Sequence, residues 1–354
     1  MKRPYLSIII PAYKDAGILS RLLDSIFATH DFKDFEVLVI DDCSPDDTKR
    51  VVELYKQGLP AGGRGLKYFR LRKNSGPAKA RNEGVKRAKG KIILFLDADV
   101  QCFPDTIVRV AKRFQRDSDL TALTGVWGRS RRTKKFFANF KALRDWSFWI
   151  NERSKKSFYY LFSTRIAAIR KEVFLRLGGF NEKFRGADIE DIEFTYRIAS
   201  RYAVIFDEKI RVKHEFEDFW PVAKKYFRRS FFWSQLFASR LKFDAVAMTP
   251  RETLSGLSAV LCLPVLIISI FFPQMLLAIL FLLFLIAFGN RKFLVYVYQQ
   301  EGMGFVIKSF WTNFILYYVI YAGAALAGIA LMVKKIFGPR VANYFNLAVS
   351  ELIR

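Results

Sequence analysis

Cysteine and histidine are scarce in this sequence. Its 354 residues include three cysteines, Cys43, Cys102 and Cys262, and only two histidines. The cysteines lack the spacing of a metal site, and they are too few for a disulfide framework. The composition is therefore typical of a reducing compartment, and it excludes a small domain held together by disulfides or by cysteine-bound zinc.

Charged residues are absent from two long segments, residues 253–290 and 309–333. As a helix, the 38 residues of the first would extend about 57 Å, against about 30 Å for the hydrocarbon core of a membrane. The sequence therefore predicts about three transmembrane spans within residues 253–333, at 253–271, 274–290 and 309–333. Two spans with a re-entrant segment are an alternative. Three spans would place the basic tail, residues 334–354, on the outer side of the membrane, and this is contrary to the positive-inside rule.

Acidic residues are also few: 33 Asp and Glu stand against 58 Lys and Arg, which gives a net charge of +25. Residues 222–243 place basic side chains on one half of a predicted helix and aromatic side chains on the other. We therefore expect residues 216–252 to form amphipathic helices at a membrane interface, although packing on the preceding domain is equally compatible. Anionic lipid headgroups explain this charge better than nucleic acid, which we do not expect as a partner.

The first hundred residues alternate short apolar runs with segments of helical spacing. Strands are predicted at residues 6–10, 36–40, 67–71 and 91–96, with helices between them. Strands that alternate with helices over short connections indicate a parallel sheet covered on both faces. The sequence therefore predicts an α/β domain of the nucleotide-binding type.

Asp97-Ala98-Asp99 follows the apolar run of the fourth predicted strand. Two carboxylates two residues apart point the same way from an extended backbone, and they could hold a hard divalent cation. In open parallel sheets, ligands collect at the carboxyl ends of strands. The motif predicts a site for a nucleotide diphosphate and its metal, whereas the tripeptide alone is explained equally well by a helix cap and a solvated turn.

Six motifs occur in a fixed order along the chain. They are Ser7-Ile8-Ile9-Ile10-Pro11-Ala12-Tyr13, Val39-Ile40-Asp41-Asp42-Cys43-Ser44, Asn74-Ser75-Gly76 with Ala80-Arg81-Asn82-Glu83-Gly84, Asp97-Ala98-Asp99, Gly178-Gly179-Phe180 and Glu190-Asp191. Together they resemble the family 2 glycosyltransferases of the GT-A fold over about residues 5–215. The C-terminal segments resemble those of members with a membrane anchor, and polyprenyl-phosphate mannose synthases are a distant likeness. The resemblance implies that residues 1–215 form a GT-A domain that uses a nucleotide-diphosphate sugar.

The resemblance also implies a metal site. Asp99 would bind Mg²⁺ or Mn²⁺, and Asp97 would bind the ribose or the same ion, which stabilises charge on the leaving diphosphate. Gln101 matches a glutamine that helps to bind metal in the mannose synthases, and a polar turn residue is the alternative. His214 matches a histidine that reaches the metal or the diphosphate, and a structural role is equally compatible.

The nucleoside would contact residues in the first half of the domain. Pro11, Tyr13 and Asp42 stand where family members hold it: Tyr13 would stack on the base and Asp42 would accept a hydrogen bond from the base edge. Asp15 stands where an acidic residue contacts the ribose, and Arg81 could bind base or phosphate. The alternatives are core packing for Tyr13 and a surface position for Arg81.

Glu190-Asp191 lies in a helix predicted over residues 188–200. A sugar hydroxyl is a poor nucleophile and benefits from a carboxylate that removes its proton as the bond forms. The resemblance places the catalytic base in this pair, and we expect Asp191 to be the base and Glu190 to position the acceptor. The alternative is an acidic cluster that the helix dipole stabilises.

This pair bears on the acceptor, because a polyprenyl phosphate is already an anion and needs no base. We therefore expect an inverting, metal-dependent enzyme of cell-envelope glycan synthesis that glycosylates a hydroxyl of a membrane lipid or lipid-linked saccharide. Transfer to a polyprenyl phosphate remains open. Processive polysaccharide synthesis is a less favoured alternative, because residues 228–233 lack a Gln-x-x-Arg-Trp motif. A protein that binds the sugar nucleotide without catalysis is also less favoured, because the acidic motifs are intact.

The location follows from the expected donor and the predicted spans. We expect an integral membrane protein whose catalytic domain lies at the cytosolic face. The basic residues 129–135 either face lipid and solvent or bind the diphosphate of a lipid carrier.

Overall fold

The computed structural model describes residues 3–29, 31–59, 65–128, 135–152, 159–186, 188–241 and 249–352. These residues fall into two compact units. The first contains the described residues up to 128 and those from 159 to 215, and the second contains residues 135–152 and those from 216 onward. Residues 135–152 thus belong to the second unit, although the predicted domain of residues 1–215 included them.

The first unit is built on a mixed sheet with the strand order β3-β2-β1-β4-β7-β6-β8-β5. Its strands are β1 Leu6–Ala12, β2 Phe35–Asp41, β3 Leu66–Arg70, β4 Ile92–Leu96, β5 Val100–Cys102, β6 Ala122–Trp127, β7 Ile166–Arg170 and β8 Val204–His214. The first four are parallel, as the sequence predicts. Beyond β4 the sheet is mixed, because β7 runs antiparallel to both β4 and β6, and β5 runs antiparallel to β8. The predicted α/β class is confirmed.

Helices connect these strands and cover the sheet. They are α1 Ala16–Phe27, α2 Thr48–Gly58, α3 Pro77–Arg87, α4 Thr106–Arg116, α6 Lys171–Arg176 and α7 Glu190–Ala199, while α5 Phe136–Ser147 belongs to the second unit. The strands β1, β2 and β4 are nearly continuous apolar runs and are buried along most of their length. Such runs are typical of parallel strands that are covered on both faces.

The strand order creates a crevice at one point of the sheet. From β1 the chain passes through α1 to β2 on one side, and it returns through α3 to β4 on the other side of β1. Ligands of open α/β sheets bind at such a switch point, outside the carboxyl ends of the strands. The segments that leave β1 and β4 there contain Asp15 and the pair Asp97 and Asp99.

The second unit is helical. Besides α5, followed by a π-helical turn over Phe148–Glu152, it contains α8 Phe219–Arg240, α9 Pro250–Ser269, α10 Leu276–Gly289, α11 Arg291–Glu301 and α12 Met303–Leu352. Its core includes Phe140 of α5, Val222 of α8, Val297 of α11 and Leu316 of α12. The α12 helix is interrupted at Gly338, which has a φ of 82°.

Two helices in the described part of the chain, Pro250–Ser269 and Met303–Gly338, are long and apolar enough to span a membrane. The segments Pro273–Gly289 and Arg291–Glu301 pass the same test only as a pair, and they are bent by 71° where they meet. The number of candidate spans is therefore two, or three if the bent pair counts as one, and the predicted span at 274–290 is not a straight crossing by itself. The interfacial prediction for residues 216–252 overlaps α8, on which Trp220 is exposed and Phe231 is buried.

A half-buried polar cluster joins four helices of this second unit. The guanidinium of Arg144 on α5 donates to Asn313 Oδ1 on α12 at 2.9 Å, to the Tyr226 hydroxyl on α8 at 3.1 Å and to Glu252 Oε1 at the start of α9 at 3.3 Å. All three guanidinium nitrogens of Arg144 thereby donate a hydrogen bond. The cluster fixes the packing of α5 against the apolar helices.

Candidate active site

The loop after β1 is shaped by carboxylates at the crevice. The backbone N–H of Tyr13 donates to Asp15 Oδ2 at 2.8 Å, and Lys14 between them has a positive φ of 62°. Asp46, from the loop after β2, accepts from the N–H of Ala16 at 3.1 Å and so satisfies a free donor at the start of α1. The ring of Tyr13 is 41% exposed, so the alternative of core packing for this residue is wrong.

Four carboxylates from the segments after β1, β2 and β4 share one electrostatic environment. Burial raises the pKa of Asp15 to about 6, and the carboxylates of Asp99, Asp97 and Asp46 add to that rise, while the hydrogen bond from Tyr13 opposes it. The side chains of Asp97 and Asp99 are 27% and 43% exposed. The neighbouring carboxylates therefore make the potential at Asp15 more negative, and this favours a bound cation.

His214 lies beside the second aspartate of the motif. The antiparallel pairing of β5 with β8 places Val100 opposite His214 and Gln101 opposite Lys213. His214 Nε2 is 3.3 Å from Asp99 Oδ2. The structure thus brings Asp99 and His214 together. It also places Gln101 on the short strand β5, and the sequence did not predict this strand.

These residues fit a divalent cation that the substrate helps to hold. Among the described residues, no group of three or more His, Cys, Asp or Glu is arranged to hold an ion by itself. Mg²⁺ in nucleotide sites keeps only one or two protein carboxylates and completes its shell with phosphate oxygens and water. The pair of Asp99 and His214, with Asp97 and Asp15 nearby, is a donor set of this kind.

Asp42 holds the loop that precedes α3. Its Oδ1 and Oδ2 accept from the backbone N–H groups of Ser75 and Gly76, each at 2.7 Å. Burial raises the pKa of Asp42, and these two hydrogen bonds oppose that rise. Gly76 has a φ of 92°, and a Cβ there would lie 2.2 Å from the carbonyl oxygen of Arg185. Asp42 therefore fixes a sharp turn beside β2, and Pro11, in register with Ile40 of that strand, is buried next to it.

Arg81 joins the acidic motif after β4 to the acidic pair at the start of α7. It donates to Asp97 Oδ1 at 2.8 Å and to Glu190 Oε1 at 3.0 Å. Burial by itself lowers the pKa of Arg81, but the two carboxylates outweigh it, so the pKa is raised. Arg81 and Glu190 are each only 3% exposed, so the alternative of a surface arginine is wrong.

Asn82, the next residue on α3, holds the glycine motif. Its side-chain nitrogen donates to the carbonyl of Phe180 at 2.9 Å, and its side-chain oxygen accepts from the N–H of Phe180 at the same distance. Gly179 has a φ of 70°, and a Cβ there would lie 2.7 Å from Asn82 Oδ1. Asn82 lies inside a motif that was visible in the sequence, but no role for it could be assigned there.

Asp191 lies in the first turn of α7 and is half-buried. Its Oδ1 accepts from the N–H of Ile192 at 2.8 Å, and its backbone carbonyl accepts from the hydroxyl of Thr195 at 2.6 Å. The same hydroxyl accepts from the N–H of Phe162 at 2.9 Å. The carboxylate is therefore held on a helix end that is bonded to the segment before β7, and Thr195 is a positioning residue that the sequence did not reveal.

The predicted site residues thus fall into two groups. Asp15, Asp97, Asp99 and His214 lie around the crevice, and Arg81 connects that group to the pair at residues 190–191. The basic residues 129–134 lie outside the described residues.

The first part of the chain is similar to known proteins. Residues 7–177 match the family model of glycosyl transferase family 2. The poly(ribitol-phosphate) beta-N-acetylglucosaminyltransferase TarS of Staphylococcus aureus is 38% identical over 129 residues, which cover 35% of this chain and 22% of that protein. The GalNAc(5)-diNAcBac-PP-undecaprenol beta-1,3-glucosyltransferase of Campylobacter jejuni is 31% identical over 186 residues, 52% of this chain and 57% of that protein.

The chain thus spans less than two thirds of either relative's length. Among solved structures, the mannosyltransferase PcManGT from Pyrobaculum calidifontis, in complex with GDP-Man and Mn²⁺, is similar with a TM-score of 0.57 and 19% identity. That alignment covers 92% of this chain and 88% of the other. Residues 7–177 are thus similar to glycosyl transferase family 2, and the first unit has a GT-A-like α/β sheet.

Proposed function

We propose that the protein is an inverting glycosyltransferase that moves a sugar from a nucleotide-diphosphate donor to a hydroxyl of a membrane lipid or lipid-linked saccharide. The observation that carries this proposal is the chain of contacts from Asp97 through Arg81 to Glu190, which ends beside the half-buried Asp191. The acidic motif at Asp97 and Asp99, which we call the donor corner, is thereby held in a fixed position relative to a carboxylate that can act as a base. Transfer to a hydroxyl requires both.

Asp191 is the proposed base. As the acceptor oxygen attacks the anomeric carbon, the hydroxyl proton passes to the Asp191 carboxylate, and the nucleotide leaves as a diphosphate. The hydrogen bond from the N–H of Ile192 orients the carboxylate, and the helix dipole favours its ionised form. Glu190, neutralised by Arg81, keeps the start of α7 in place and positions the acceptor.

The donor would lie at the β1–β4 crevice. Asp99 and His214, with Gln101 and Asp97, would hold a Mg²⁺ or Mn²⁺, which neutralises charge on the leaving diphosphate when it is bound. The Mn²⁺ in the complex of the Pyrobaculum mannosyltransferase is an ion of the proposed class.

The nucleoside would contact residues on the other side of the crevice. The exposed ring of Tyr13 offers a stacking surface for a base, and Asp15 would accept from the ribose. Asp42 retains acceptor capacity for the base edge, because each carboxylate oxygen has two lone pairs and the loop uses one on each. Pro11 would shape the wall of this site, and Arg81 would act on the donor through Asp97.

The names of the relatives support a hydroxyl acceptor. The Campylobacter protein is named for a saccharide linked to undecaprenol through a diphosphate, and the Staphylococcus protein for a poly(ribitol-phosphate). The two apolar helices support a membrane location, with the catalytic domain at the cytosolic face where sugar nucleotides are available. The basic tail and the helices of residues 216–252 would then contact anionic lipid.

The replacement Asp191→Asn tests the base. The variant should bind UDP or GDP as the native protein does, but it should lose about 10²–10⁴-fold in transfer, the usual contribution of a general base. Nucleotide release is measured with a panel of sugar nucleotides, Mn²⁺ and a membrane lipid extract. Glu193→Gln is the matched control, because Glu193 lies in the same helical turn and pairs with Arg197 instead. Near-normal turnover of Asp191→Asn would contradict the assignment and favour a phosphate acceptor.

A further inference from the structure

One arginine of the first unit, Arg165, lies at the end of the sheet between the donor corner and the helix that contains Asp191. Arg165 directly precedes β7, which lies between β4 and β6 in the sheet. Ile166 is paired with Leu96, the last residue of β4 before the acidic motif, so Arg165 lies at the edge of the sheet where Asp97 begins. Sequence reasoning gave this arginine no role.

The guanidinium of Arg165 is held against a buried aromatic ring. It lies 4.6 Å from the ring centroid of Trp127, the last residue of β6, and Trp127 is only 3% exposed. Stacking on tryptophan is the strongest of the cation–π contacts, and it restricts a side chain that is otherwise flexible. Arg165 itself is half-buried, so it is fixed but accessible from solvent.

The turn that contains Arg165 is bonded to the helix of the proposed base. Phe162 donates its N–H to the hydroxyl of Thr195, which donates to the carbonyl of Asp191. On the other side, the turn closes on itself through the N–H of Ile166 and the carbonyl of Ser163, at 3.1 Å. Arg165 therefore stands at the end of the sheet that is tied to α7, on the opposite side of β4 from the β1–β4 crevice.

We propose that Arg165, stacked on Trp127, binds a phosphate group of the acceptor. This inference rests on the proposed function and narrows its substrate class. A planar guanidinium matches phosphate oxygens in two-point contact. Arg165 directly precedes the strand beyond β4, on the side away from β1. Because its turn is tied to the Asp191 helix, the acceptor would carry this phosphate near the reacting hydroxyl.

The test uses the full-length protein in detergent micelles, with farnesyl diphosphate as a lipid diphosphate and farnesol as its neutral counterpart. Binding is measured in EDTA, which removes cation-dependent binding at the donor corner. Arg165→Gln should weaken farnesyl diphosphate binding about 10-fold or more, and Arg165→Lys, which keeps the charge but not the fork, about 3-fold. Farnesol binding should be unchanged in both variants.

The matched control is Arg87→Gln, because Arg87 also stacks on an aromatic ring, 5.3 Å from the centroid of Phe69, but lies on α3. It should leave the binding of farnesyl diphosphate unchanged. Equal binding of the diphosphate by native protein and Arg165→Gln would overturn the proposal. UDP and GDP binding, measured with Mn²⁺, should also be unaffected by Arg165→Gln, and a parallel loss there would assign the arginine to the donor instead.

These readouts need no turnover, so they are independent of the Asp191→Asn experiment. A folded Arg165→Lys variant, checked by its thermal unfolding, keeps the test valid if Arg165→Gln fails to fold.

Discussion

Replacing Arg81 with methionine removes the cation between two carboxylates and leaves a side chain of similar length. Glu190 would then be a buried carboxylate without its positive partner, and Asp97, which is more exposed, would lose the same cation. Removing one partner of a buried ion pair costs about 3–5 kcal/mol, and the partial exposure of Asp97 puts the expected loss at the lower end, about 3 kcal/mol. At roughly 2–4 °C per kcal/mol for a domain of this size, Arg81→Met should lower the unfolding temperature by roughly 6–12 °C.

The assay is thermal unfolding of the full chain in detergent, followed by tryptophan fluorescence. In a Glu190→Gln background the replacement of Arg81 should cost about 1.5 kcal/mol less, because the neutral amide needs no cation. The control is the more exposed pair of Glu182 and Lys79, which lies two residues before Arg81 on α3, and its coupling should be below about 1 kcal/mol. If Arg81→Met and Glu190→Gln were additive to within about 0.5 kcal/mol, the bridge would not hold the two motifs together.

Two further predictions concern the frame of the site. Burial alone raises the pKa of Glu36, but hydrogen bonds from Lys67 and others outweigh it, so the folded pKa lies below the ordinary value of 4.5. Ionised Glu36 therefore contributes its full stabilisation of the fold above pH 4.5, and this contribution is lost as the pH falls through the folded pKa. In the Glu36→Gln variant, the free energy of unfolding should depend less on pH in this range. Gly76→Ala should cost about 2 kcal/mol or more and weaken nucleotide binding, because its Cβ would meet Arg185 and its φ is positive. In contrast, Gly17→Ala, with open space around it, should leave the unfolding temperature unchanged or raise it; equal losses in both variants would contradict the steric argument.

The parallel half of the sheet could be predicted because its strands are uninterrupted apolar runs. The run from Ile92 to Leu96 has five buried positions in succession, as is typical of a parallel strand covered on both faces. The short strand Val100–Cys102 has no such signal, because three residues next to an acidic turn carry no detectable period. Residues 204–207 and 210–214 suggest two strands, but the structure has one, Val204–His214, whose pairing with β6 shifts register between Thr124 and Val126.

The start of α2 also differs from the sequence pattern, which favours a helix from residue 45. The side chain of Asp46 accepts from the hydroxyl of Thr48 at 2.6 Å and also from the N–H of Ala16. This carboxylate therefore forms a turn that joins two loops, and the helix begins only at Thr48. Aspartate competes with the helical backbone for hydrogen bonds, and here the competing partner comes from a distant part of the chain.

The proximity of His214 to the acidic motif was easier to expect from the sequence than the contacts of Arg81. The tripeptide Asp97-Ala98-Asp99 alone is explained equally well by a helix cap, but the family resemblance placed His214 near it, and in the structure His214 lies beside Asp99. An arginine on a helix, in contrast, can reach ligand, solvent or another side chain equally well. Only the folded chain shows that Arg81 contacts Asp97 and Glu190, which lie 16 and 109 positions further along the sequence.

The first turns of α3 explain why separate motifs occur together in this chain. Arg81 and Asn82 are consecutive and point about 100° apart around the helix, so they reach different neighbours. The first binds the acidic motifs at residues 97 and 190, and the second binds the backbone of Phe180 through both of its side-chain groups. The loop before the same helix is fixed by Asp42. One helix therefore sets the geometry of the loop held by Asp42, the acidic motif at residue 97 and the acidic pair at residues 190–191, and a change at any of these motifs should alter the other two through α3.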